Sequence, residues 1–262
     1  MTVVIETGST DQNNPLALYE NVFERGTVTV SSEATDGDGL NAIEDSTFDY
    51  WTPSAVPANI AVDYGSAVEC DCVGIASHTA GTAGTTVKVQ SSDDGTTWTT
   101  RLTFEPADDT TMMGIFPVVA ARHWRVLQEN AIASLGVIKL GKSLVFPGGV
   151  LSGHIAINHS KRVDLLNNMS MKGQFLGNRI ISLGAETEIN FGLVETDFVD
   201  TDMADFEAHY NSGRTFFFAS SLFAWPDDFG YCWRSDSELR PSYEEGGTLT
   251  NLNMGVSVFV EQ

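Results

Sequence analysis

The residues that could do chemistry are many but scattered. Five histidines stand at positions 78, 123, 154, 159 and 209, and no pair has metal-ligand spacing with a third ligand beside it. Three cysteines, Cys70, Cys72 and Cys232, are an odd number without zinc-type spacing, which predicts small buried thiols rather than a disulfide framework. There is no G-x-S-x-G, no H-E-x-x-H and no Walker-type Gly-Lys-Ser/Thr. Gly37 to Ala42 satisfies G-x-G-x-x-A, but no helix of a βαβ unit follows, so the match is fortuitous. Two carboxylates about 5 to 10 Å apart would suffice for a glycosidase, yet among 35 Asp and Glu such a pair arises by chance. The expectation is a protein that is not an enzyme and has no obligatory cofactor.

Charge narrows the partners. Fourteen Lys and Arg against 35 Asp and Glu give a net charge of −21. Divided after Phe146, the halves hold 7 basic and 19 acidic residues, then 7 and 16, so neither is a basic module. Such a balance repels phosphate backbones and anionic lipid, which argues against specific nucleic-acid binding. No stretch approaches the roughly 18 apolar residues of a membrane span, so no membrane insertion is expected. Met1 to Glu6 lacks a basic and an apolar signal region, so no ordinary secretory signal is expected. Solubility or a salty habitat would account for the acidity; a more specific role is set out below.

The elements that must position these residues are strands. Thr27–Ser31, Asn59–Asp63, Thr85–Gln90 and Arg122–Val126 are short, β-branched or aromatic and alternate with period two. Clusters rich in Gly, Asp, Ser and Thr separate them at Asp36–Gly39, Thr79–Gly84 and Ser91–Thr96. Pro147-Gly148-Gly149 is the best boundary, dividing the chain into domains 1–146 and 150–262. Beyond it, Gly153–Asn158, Arg179–Ser182, Glu186–Val194, Thr215–Ala219, Tyr231–Arg234 and Met254–Val260 read as strands. One helix is expected near 202–212, with Thr201 as N-cap, Met203, Phe206 and Tyr210 on its apolar face and Gly213 ending it. The expected class is all-β, a sandwich followed by a second β-sandwich carrying one short α-helix.

Five pieces of the first half occur in a recognisable order: Trp51-Thr-Pro, Ile60-Ala-Val-Asp-Tyr-Gly65, Val87 to Trp98 with its Ser-Ser-Asp-Asp-Gly-Thr-Thr-Trp turn, Ala121-Arg-His-Trp-Arg-Val126 and Gly136 to Gly141. This series resembles the discoidin family (F5/8 type C, galactose-binding-like) over roughly residues 20 to 146, which implies a jelly-roll sandwich. Asp63, Gly65, Asp94 and Trp98 then serve the scaffold, with Gly95 supplying a positive φ and Trp98 folding back over an apolar face. In such domains ligands meet loops at one end. The resemblance therefore makes Asp36, Asp38, Asn41, Asp49, Tyr50 and His78 candidate glycan contacts, since an aromatic beside carboxylates and imidazole suits a sugar. Asp36 and Asp38 are also candidate ligands for a structural calcium ion, with an ordinary acidic turn as the alternative.

In the second half, Met203 to Phe218, then Tyr231-Cys-Trp-Arg234 and the closing Leu249–Val260 segment, resemble bacteriophage distal-tail and tail-tube proteins. That resemblance implies self-association into a ring, sixfold in the simplest case, contacts with other tail proteins, and a place in a virion assembled in the host cytoplasm. Phe216, Phe217 and Phe218 are consecutive, so they cannot share one face of a strand, and an interface is expected there. A ring around passing DNA would gain from an acidic lining that repels phosphate. The first domain would then face outward, toward host surface glycans or neighbouring tail proteins. The competing expectation is a free carbohydrate-binding lectin or adhesin outside any ring; a glycan-active enzyme comes third.

Overall fold

The computed structural model describes residues 1–9, 13–235, 237–244 and 246–261. In chain order the strands are β1 (Thr2–Ile5), β2 (Leu16–Leu18), β3 (Thr27–Val30), β4 (Ala58–His78), β5 (Val87–Ser92), β6 (Thr99–Phe104), β7 (Met112–Gln128), β8 (Leu135–Gly141), β9 (Leu144–Val145), β10 (Lys161–Met169), β11 (Phe175–Glu195), β12 (Phe216–Ala219), β13 (Phe229–Arg234), β14 (Ser242–Tyr243) and β15 (Leu249–Val258). Among the described residues three short α-helices interrupt them: α1 (Ala80–Ala83), α2 (Thr196–Asp200) and α3 (Ala204–Asn211). The all-β class is therefore as the sequence implies.

The first sheet runs β3-β4-β7-β5-β6, with β8 on β4 and β1 parallel to β7. β4 and β7 are long enough to serve both layers of the sandwich. Near the N-terminus of β4, Ile60 and Val62 pair with Val126 and Trp124; further on, Val73 and Ile75 pair with Gly114 and Met112 while β8 joins the other edge. The register breaks between Asp63 and Val68, where Gly65 takes φ +83 and its N–H donates to Asp63. Bent there, the two strands fold the sheet over a core that includes Trp51, Trp124, Phe23, Phe104 and Phe116. The turn after β5 is as expected, with Gly95 at φ +70 and Asp94 accepting from the N–H groups of Thr96 and Thr97. Trp98 differs from expectation: its ring lies under the Arg125 guanidinium at 4.1 Å, a cation–π contact in place of an apolar one.

The second sheet runs β10-β11-β15-β13-β12-β2-β9. Two of its strands, β2 and β9, come from the first half of the chain, which passes from β1 of the first sheet to β2, back at β3 and out again at β9. A cut at 146 to 150 in sequence is thus not where the sheets divide. Gly153–Asn158 is not a strand: the segment is irregular and ends in a 3-10 turn, Ile157–His159. The helix also starts later than its expected cap. Thr201 closes α2 by donating to the Asp197 carbonyl at 2.6 Å, and Met203 precedes α3; Gly213 at φ +78 ends it. Cys70, Cys72 and Cys232 are free and buried, and burial raises the thiol pKa of each.

The three consecutive phenylalanines correct an expectation. All three are fully buried, and β12 does alternate them, as its pleat demands. Phe216 and Phe218 join Phe146, Phe191, Phe206 and Met254 under α3, where Phe146 and Phe191 stack at 4.5 Å. Phe217 points the other way, into a cluster with Cys72, Ala76, Met113, Ile115 and Val137 of the sandwich. The interface that the triple Phe demanded lies within the chain. Gly74 makes room for it: a Cβ there would lie 2.5 Å from the Phe217 ring.

Two outcomes are expected from this junction. Gly74→Ala should cost about 2 kcal/mol and Phe217→Ala about 4 kcal/mol, while the double variant should lose clearly less than their sum, read by urea denaturation; additive losses would disprove the contact. Asp71, beside the exit to β9, accepts from the Ser143 N–H at 2.7 Å and its hydroxyl at 3.2 Å, yet burial raises its carboxyl from 3.8 to about 6. Because the folded pKa lies above the unfolded one, the stability is fully present below about 4 and is lost as pH rises through about 6. Asp71→Asn should therefore stabilise at pH 7.5, by at most about 3 kcal/mol, and leave thermal denaturation at pH 4 unchanged.

Candidate functional site

One end of the sandwich gathers the loops that a ligand could meet. Trp51 pairs with Leu135 through two backbone hydrogen bonds of 2.9 Å, and its indole N–H reaches the Ser32 carbonyl. Thr52 and Ser134 share a hydroxyl contact at 2.7 Å, and the Ser134 N–H donates to the Thr79 hydroxyl. The Ser77 hydroxyl donates to the Thr47 carbonyl at 2.8 Å. These bonds tie together the segments 31–57, 77–85 and 129–135.

Within this end the expected residues divide. Asn41 and Tyr50 are brought together, the Asn41 amide donating to the Tyr50 carbonyl at 3.4 Å. Asp49 lies next to them and accepts from the Ser46 hydroxyl at 3.1 Å. Asp38 caps the 3-10 helix Gly39–Ile43 by accepting from the Leu40 N–H, and Asp36 sits in the exposed turn before it. Among the described residues no group of three or more His, Cys, Asp or Glu is placed to hold a metal ion.

His78 is a correction. It is buried, its Nδ1 accepts from the Ala80 N–H at 3.2 Å and its Nε2 donates to the Thr110 carbonyl at 2.7 Å. Burial lowers its pKa, in keeping with a neutral imidazole that has no nitrogen left for a ligand. The exposed residue that sequence reasoning missed is Phe48, 87% accessible; the signal was an aromatic in the short polar turn Ser46-Thr-Phe-Asp, with only Trp51 nearby claimed by the core.

The loop is held by a buried charge. Lys139 of β8 is 1% accessible and bonds Asp45 at 2.7 Å, with Glu24 at 3.7 Å. Asp45 also accepts from the Thr215 hydroxyl, and the Tyr231 hydroxyl donates to its carbonyl at 2.9 Å. Burial pushes the Asp45 carboxyl up, but Lys139 and Thr215 outweigh it and hold it below its ordinary value. One carboxylate thus anchors the Phe48–Tyr50 loop to both sheets. Asp45→Ala should leave Lys139 poorly paired, cost about 3 kcal/mol and speed amide exchange across residues 44–50. Unchanged exchange there would show that the loop does not depend on this anchor.

Chemically, an exposed Phe and Tyr beside a carboxylate and a carboxamide form a surface for stacking and hydroxyl recognition. No curated protein shows significant similarity to the chain. Solved structures that resemble its sandwich include the following two. The first is the Clostridium perfringens protein described as CpGH89CBM32-5, in complex with GalNAc-β-1,3-galactose, at 17% identity and TM-score 0.41, covering 48% of this chain and 99% of that one. The second is a chitosan-binding module 1 derived from a chitosanase/glucanase of Paenibacillus sp. IK-5, at 24% identity and TM-score 0.40, covering 46% and 98%. Residues 27–126, which hold β3 to β6 and nearly all of β7, match the family model described as F5/8 type C domain.

Proposed function

We propose that the chain is a non-catalytic structural component of an assembly, of the phage-tail distal or adaptor kind, which joins copies of itself through the second sheet and carries the discoidin-like sandwich outward as a carbohydrate-binding module. The observation that carries the assembly half is the ribbon formed by β10 and the first part of β11. Its cross-strand partners Val163 and Leu183, Leu165 and Ile180, and Met169 and Phe175 line one face. All six side chains are between 46% and 65% accessible. A two-stranded ribbon with an uncovered apolar face is at best marginally stable in water, which favours a partner surface over it.

Charge favours a second copy as that partner. The segment 161–185 holds Lys161, Arg162, Lys172 and Arg179 against Asp164 alone, while the rest of the chain has 10 basic and 34 acidic residues. A basic ribbon on an acidic body suits head-to-tail association, which closes into a ring when the rotation permits. Support for the tail setting is the resemblance of Met203 to Phe218 and Tyr231 to Arg234 to tail proteins, and the acidity would keep DNA from adhering to a ring's lining. For the outward module the support is the F5/8 type C match and the exposed Phe48–Tyr50 loop. Its partners would be host surface glycans or other tail proteins.

Mass photometry and negative-stain images test the assembly. Wild-type protein should form a ring-sized species, and Leu165→Lys with Ile180→Lys, both at exposed positions, should return it to monomer. A wild-type monomer at high concentration that binds glycans through Tyr50 would instead establish the free lectin.

A further inference from the structure

A second ligand site is formed in the other half of the molecule, away from the sandwich loops. A half-open cleft of about 550 Å³ lies between the segment 149–159 and the turn 220–228 that links β12 to β13, a size suited to a small ligand. The turn is rigid: the Trp225 N–H donates to the Ser221 carbonyl, the Asp228 N–H to the Trp225 carbonyl and the Ser220 N–H to the Asp228 carbonyl, at 2.9 to 3.0 Å. It presents the Trp225 indole at the rim, 66% accessible. Trp51 and Trp124, by contrast, are fully buried.

The floor is polar and ordered. Asp228 is buried and accepts from the Ile157 N–H at 2.6 Å and from His154 Nε2 at 3.1 Å. The other nitrogen of His154 faces the Glu188 carbonyl at 3.3 Å. Both of these neighbours are acceptors, an arrangement that favours the doubly protonated ring. The hydrogen bond to Asp228 raises the His154 pKa accordingly. Ser220 Oγ lies 3.4 Å from the same Nε2 that faces Asp228. A nucleophilic serine would need that nitrogen free, with the carboxylate on Nδ1, so the cluster is arranged for binding.

One acceptor in the wall lacks a partner. Asn158 Oδ1 is buried without a hydrogen bond, a state that costs on the order of 1–3 kcal/mol unless something supplies a donor. Asn158 lines the cleft, and a small rotation of its amide would offer this oxygen to a ligand hydroxyl. No Lys or Arg lines the cleft. The lining sets two imidazoles, His154 and His159, against two carboxylates, Asp227 and Asp228, so it holds no excess of positive charge to draw an anion.

From an exposed indole, the open carboxylate of Asp227, the unpaired amide oxygen of Asn158 and a lining without Lys or Arg among the described residues, we infer that this cleft binds a neutral saccharide, one pyranose face stacked on Trp225 and its hydroxyls donating to Asp227 and Asn158. The inference stands independently of the loop site in the sandwich. An array of neutral and sialylated oligosaccharides probed with the full chain, followed by titration of a neutral hit, tests it. Trp225→Ala and Asn158→Ala, which spare the Asp228 bond to Ile157, should each weaken that hit, Trp225→Ala by about tenfold or more, while Tyr50→Ala leaves it unchanged. Binding lost in Tyr50→Ala but kept in Trp225→Ala would overturn the cleft and assign the sugar to the loop. Absence of any neutral hit, or hits confined to sialylated glycans, would overturn it as well.

Discussion

The structure depends on a sheet that must bury both of its faces against different partners. β12 carries no polar side chain between Phe216 and Ala219, so neither face can meet water. One face is covered by α3 and the aromatic cluster around Phe146. The other finds its cover only in the sandwich, where Gly74 leaves the space that Phe217 fills. A strand buried on both sides loses the usual alternation of apolar and polar residues, and that loss is the physical cost of joining the two units. β2 and β9 share this sheet with β12: the chain passes from β1 of the first sheet to β2, returns at β3 and crosses again to β9, so strands from the first half lie beside β12 and at the edge next to it.

The same sheet ends very differently at its other side. Beyond Ala185, β11 leaves the covered region and pairs only with β10. There the apolar pairs meet no layer of the same chain. Within one sheet, then, burial is complete where the sandwich and α3 lie, and absent where neither reaches. The local concentration of Lys and Arg on the ribbon follows the same division. On an acidic protein, basic residues placed along an uncovered element guard it against unspecific association while orienting it toward acidic surface.

Legibility in the sequence followed locality. The strands of the sandwich, the Asp94–Gly95 turn and the stop at Gly213 were readable because each depends on a few neighbouring residues and on φ values that only glycine takes easily. Trp98 was misread because the partner on its ring, Arg125, lies in another strand. His78 looked like a ligand for the same reason: the Thr110 carbonyl that uses its second nitrogen is distant in sequence. Phe216 to Phe218 announced a two-sided strand correctly, but no sequence pattern says whether the second side meets the same chain or another. Lys139, Asp45 and Tyr231 were not legible at all, since their meeting requires the two sheets to be in place. The His154 and Asp228 cluster was equally hidden, its members separated by more than seventy residues.

The Asp45 anchor has a consequence for how binding and assembly can influence each other. Phe48 and Tyr50 sit a few residues from a carboxylate whose partners come from β8 on one side and from Thr215 and Tyr231 on the other. The loop is thus positioned by the junction rather than by the sandwich alone. Coupling requires an element with two discrete arrangements that both events bias. The junction offers none: Phe217 is fully buried, its glycine admits one ring, and Lys139 is 1% accessible. The sandwich and the second sheet should therefore move as one body. A ligand at the loop would gain from many copies held at fixed spacing, through effective concentration, and not from any change of shape passed across Phe217.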